Sequence, residues 1–131
     1  MTGSDGWIAV SRGLTADERR VLRWLLTIGA EISGTAMQRA TAFLPQLDQL
    51  RVTGRCICGC PSIDLALETS QLLVDDASGT LADVDGCSPE GPAVGLILRA
   101  KGGHLSGLEA YARDGVVPFS LPTDEQLASF G

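Results

Sequence analysis

The chain has 131 residues, 44% of them hydrophobic, and 10 Lys+Arg stand against 16 Asp+Glu for a net charge of −6. That length supports an ordinary core without disulfides or a structural metal, and the negative balance disfavours nucleic acid and anionic membrane surfaces as partners. No stretch approaches the roughly 20 apolar residues of a membrane span.

The opening MTGSDGWIAV lacks the basic and long apolar regions of an export signal. Four cysteines in such a chain are expected to stay reduced, in the cytoplasm. Residues 1–12 are expected to be flexible or a loosely attached edge segment, with Trp7, Ile8 and Val10 available for a short edge strand. The spacing then predicts a helix over 15–29. Thr15 and Glu18 form a capping-box pair, and Asp17 and Glu18 suit the positive end of the helix dipole. Val21, Leu22, Leu25, Leu26 and Ile28 recur at helical spacing, and Gly29 reads as the stop. A second helix is predicted over 34–44, with Met37, Ala40, Phe43 and Leu44 on its apolar side and Pro45 breaking it.

From Leu50 the period changes to two. Residues 50–55 and 63–67 read as strands, 80–84 as a weaker one, and 85–92 as loop. The apolar runs 94–98 and 105–111 flank a Gly102-Gly103 turn and read as a hairpin, the first of them a central strand. Residues 116–119 suit a further short strand, and Thr123 with Gln126 starts a short C-terminal helix. The sum is an α+β fold in one domain over 1–131: two N-terminal helices on an antiparallel sheet of four to five strands.

The stretch CICGC puts Cys56, Cys58 and Cys60 at alternate positions. On a straight strand the thiols share one face, with Cα atoms about 6.5–7 Å apart. That is too far for a relaxed disulfide, and it differs from the tight C-x₂₋₄-C turn of a zinc site. Packing is then the favoured expectation, because a free cysteine behaves as a small apolar side chain. Gly59 and Pro61 open the alternative. If they bend the chain and Cys87 approaches, four thiolates gather for zinc or for redox chemistry, with His104 as a substitute ligand.

Together RGLTADERRVLRWLL, CICGCPSIDL and LSGLEAYARDG resemble small bacterial proteins of actinobacterial type whose function is not established. The Leu-Thr-x-x-Glu helix start and a late strand carrying a Leu-Glu pair are similar, more loosely, to immunity-type partners of toxins. The resemblance implies a bacterial accessory protein and assigns no catalytic residue.

Other candidates have plainer readings. His104 is the only histidine, set just after a Gly-Gly turn where an exposed residue is ordinary. Asp64 and Glu109 are a possible acid–base pair, weighed against two solvated strand faces. Arg19, Arg20 and Arg23 read as a solvated helix face, and Trp24 as core. No phosphate-loop, dinucleotide, nucleophile-elbow or H-E-x-x-H string is present. The expected function is a non-enzymatic module that binds another protein, of inhibitory or immunity type. The alternative is a zinc-binding or thiol-redox protein using Cys56, Cys58, Cys60 and Cys87.

Overall fold

A computed structural model describes residues 6–131, so the expectation for the first five residues lies outside the described part. The capping box forms as predicted. The Thr15 hydroxyl accepts from the Glu18 N–H at 3.1 Å, and the Glu18 carboxylate accepts from the Thr15 N–H at 2.9 Å. Helix α1 (Ala16–Trp24) starts there.

Gly29 does not stop it. The helix widens into a π turn at Leu25–Gly29 and runs on through α2 (Ala30–Ile32), ending at Gly34 with a left-handed φ of +81°. Gly29 serves packing instead, since a Cβ there would stand 3.1 Å from both the Trp24 ring and Leu25. A π turn shifts the register of the face that follows it, and Ile28, expected inside, is 53% exposed.

The predicted second helix is shorter. It comprises α3 (Met37–Thr41) and a 3₁₀ turn (Leu44–Asp48) that begins beside Pro45. Gln46 on that turn is buried. Its side-chain amide donates to Leu72 O (2.9 Å) and Gly103 O (2.8 Å) and accepts from the Leu105 N–H (3.0 Å).

The sheet has six antiparallel strands rather than four or five: β1 (Trp7–Gly13), β2 (Leu50–Cys56), β3 (Ile63–Leu67), β4 (Gly79–Cys87), β5 (Ala93–Lys101) and β6 (His104–Ala112). Their order is β1-β2-β3-β6-β5-β4. Trp7, Ile8 and Val10 do lie on an edge strand, and the Gly102-Gly103 hairpin joins β5 to β6.

Two loop and strand expectations fail. Asp85, Gly86 and Cys87 continue β4, because they pair with Gly95, Val94 and Ala93 while Asp85 exchanges two 3.0 Å backbone bonds with Gly131. Residues 116–119 join no strand, and Phe119 turns into the core instead.

One face of the sheet supplies Val52, Leu65, Val84, Leu96, Leu98 and Leu108 to a core covered by Val21, Leu22, Leu25, Leu26 and Phe43. Full burial of each such side chain contributes about 1.5–3 kcal/mol. A second capping box, Thr123 with Gln126, starts α4 (Asp124–Leu127), which adds Leu127 and is followed by Phe130. The opposite face carries Asp64, Asp83, Arg99 and Glu109, all at least partly open to solvent. No helix among the described residues is long and apolar enough to cross a membrane.

A candidate thiol centre beside a sheet-face cavity

β2 ends at Cys56, and the chain then turns. Gly59 makes the turn possible: its φ is +97°, and a Cβ there would come 2.9 Å from Pro118. The bend brings the Cys56, Cys58 and Cys60 sulfurs within 4.8 Å of one another. The Cys56 and Cys58 sulfurs are 2.8 Å apart. Two backbone donors point at the cluster: the Cys58 N–H toward Cys56 Sγ (3.4 Å) and the Cys60 N–H toward Cys58 Sγ (3.3 Å). Cys60 Sγ donates to Ser62 Oγ at 3.3 Å, and buried Ser62 is anchored to both backbone groups of Ala110 on β6 (2.9 and 2.8 Å).

The three cysteines therefore do not share one strand face, as packing on a straight strand would require. Cys58 is exposed and Cys56 half-buried, and of the three only Cys60 packs against the core. Strand β2 stops at Cys56, so Cys58 and Cys60 lie beyond it on the turn. The thiols differ in acidity. Burial pushes Cys56 up to about 11, and its hydrogen bond with Cys58 adds to the rise. Cys58 is lowered by hydrogen bonds from the Cys56 and Cys60 thiols and from the Cys60 N–H. A thiolate is thus best housed on Cys58.

Cys87 does not join the cluster among the described residues. It lies on edge strand β4, with β3, β6 and β5 between it and β2. His104 begins β6, six residues from Ala110 and so about 20 Å along the strand; its Nδ1 is 2.8 Å from Leu105 O. Neither supplies a fourth ligand here.

The two carboxylates do share a face. Asp64 and Glu109 line one cavity of about 440 Å³, together with Trp7, Tyr111, Cys56 and Cys60. Glu109 is paired with Arg99 at 2.6 Å. The Asp64 carboxylate has no hydrogen-bond or ion-pair partner among the described residues; it is open to solvent, and partial desolvation raises its pKa above the ordinary value. In the sequence the cysteines and the carboxylates stand apart as separate candidates. Their adjacency follows from the register, in which Gly54 on β2 faces Asp64 and Cys56 lies two residues beyond Gly54.

The arginine face is solvated, as expected, and is held by ion pairs: Arg19 with Asp48, and Arg20 with Asp17 (3.3 Å) and Asp124 (3.1 Å). Trp24 is half-buried edge-on to Phe130, with ring centroids 6.0 Å apart.

No protein-family model matches the chain, and no curated protein or solved structure matches it either. The chemistry of the site therefore follows from its own side chains. Three sulfurs within 4.8 Å of one another, with amide donors at two of them, form a soft donor set that could hold zinc or another thiophilic ion.

Proposed function

We propose that the protein binds a thiophilic metal ion, zinc in the first instance, through Cys56, Cys58 and Cys60. The observation that carries this reading is the mutual approach of all three sulfurs within 4.8 Å on a partly open turn. Tetrahedral zinc with sulfurs at about 2.3 Å requires S···S separations of about 3.8 Å, so only small side-chain movements separate the cluster from a ligand set. Three protein ligands leave the fourth position to water or an exogenous group. Because thiolates bind and thiols do not, and because Cys56 is pushed up to about 11, binding releases protons and strengthens as pH rises.

Zinc titration of the reduced protein against a competing chelator tests the reading. One equivalent is expected, lost or much weakened in Cys56→Ser, Cys58→Ser and Cys60→Ser and retained in Cys87→Ser. Absence of stoichiometric zinc, or equal effects of all four substitutions, contradicts it.

A second reading, the protein-interaction module, draws on the apolar rim of the same turn. Ile57 is 65% exposed, and Val116 and Val117 are exposed beside the Pro118 that touches Gly59. Loss of a co-purifying partner on Ile57→Asp, with zinc binding intact, would favour that role. An unchanged partner set would remove it.

A further inference from the structure

Asp64 is the one carboxylate of the sheet-face cavity without a counter-charge. In the register of β2, β3 and β6 its neighbours on either side are Gly54 and Gly107, so no side chain walls it off. The carboxylate leans over Gly54. A Cβ there would come 2.9 Å from Oδ2, whereas one at Gly107 would stand 3.9 Å from Oδ1. Glu109, on the same face, is neutralised by Arg99 at 2.6 Å. The cavity thus presents one uncompensated negative charge, and its lining includes Trp7 and, farther along β6 over Gly95, the Tyr111 ring. Its volume of about 440 Å³ falls within the range of small-molecule sites.

We propose that this cavity binds a small organic cation, a primary amine on a compact apolar body, with Asp64 as its counter-ion and Trp7 as its aromatic wall. An ammonium group supplies the donors that Asp64 lacks, and a cation near an aromatic face gains further attraction. The raised pKa of Asp64 agrees with a carboxylate that has lost part of its water without gaining a partner. An anion of the same shape meets Asp64 with Arg99 already engaged, and is disfavoured. The site does not depend on metal at the cysteines: Cys56 and Cys60 border the cavity, but the free charge belongs to Asp64.

The test uses the full chain, reduced and metal-free, with phenethylamine as probe and amide NMR shifts as readout. Saturable shifts are expected at Gly54, Asp64 and Gly107. Asp64→Asn should weaken binding about tenfold or more, and phenylacetate should not bind. Gly54→Ala keeps the charge but displaces the carboxylate, and should weaken binding less than Asp64→Asn does. Full affinity in a folded Asp64→Asn protein, equal binding of amine and carboxylate probes, or no saturable shift up to about 10 mM overturns the proposal. Because zinc is absent throughout, failure here leaves the metal reading standing, and failure of zinc binding leaves this one.

Discussion

Gln46→Leu removes three hydrogen bonds at once, and they are not equivalent. The Leu105 N–H is buried and has only Gln46 Oε1 as its side-chain acceptor at 3.0 Å, so it is left stranded at a cost of about 1–3 kcal/mol. Gly103 O keeps the Val74 N–H at 2.9 Å, and Leu72 O lies where the bond is only partly buried. Those two losses add about 0.5–1 kcal/mol each, and the apolar replacement recovers part of the total. The net expectation is a loss of about 3 kcal/mol, a large share of the 5–15 kcal/mol typical of a domain. Urea denaturation should show a lower midpoint with an unchanged slope.

Gln46→Glu sharpens the test. Above its pKa the carboxylate still accepts from the Leu105 N–H but faces two carbonyl oxygens, so its folded-state pKa is raised. The destabilisation is therefore present at neutral pH and relieved as pH falls through that raised value. A loss below about 1 kcal/mol for Gln46→Leu, or a Gln46→Glu penalty that does not shrink in acid, would refute the reasoning.

Further outcomes follow from the thiols and the first helix. In metal-free protein, timed alkylation read by mass spectrometry should modify Cys58 well before Cys56. With Cys56 pushed up to about 11 from an ordinary 9.0, its thiolate population near neutral pH is about a hundredfold lower; equal rates would contradict the assignment. Glu18 is buried, which by itself would raise its carboxyl, yet the Arg12 guanidinium and the Thr15 N–H outweigh burial and hold it low. That pairing stabilises the fold at neutral pH and is lost as pH falls through the lowered value. Arg12→Gln should therefore destabilise at pH 7, and the difference should narrow below about pH 4. A pH-independent difference in a denaturation series would count against the pair.

What the sequence made legible was local. Thr15 with Glu18 and Thr123 with Gln126 mark real helix starts because a capping box is closed within four residues. Gly102-Gly103 marks a real hairpin for the same reason. What stayed hidden depends on distant partners. Phe119 looked like part of a further strand, but it turns into the core instead. Residues 85–87 carry loop chemistry, yet a paired strand and Gly131 hold them extended.

The cysteines fall between these cases. Gly59 and Pro61 did signal a bend, and the bend gathers three sulfurs, so the condition set for a metal site is met in that half. The other half, an approach by Cys87, required the strand order, which no short-range pattern encodes. The cavity beside Asp64 was likewise invisible, because a bulge-shifted register between β2 and β3 places Gly54 against Asp64.

X-ray absorption at the zinc edge of the zinc-loaded protein bears most directly on the proposed metal site. Three sulfur scatterers at about 2.3 Å with one lighter neighbour, unchanged in Cys87→Ser, is the predicted result. A shell of nitrogen and oxygen alone, or four sulfurs that fall to three in Cys87→Ser, would contradict a centre built on Cys56, Cys58 and Cys60.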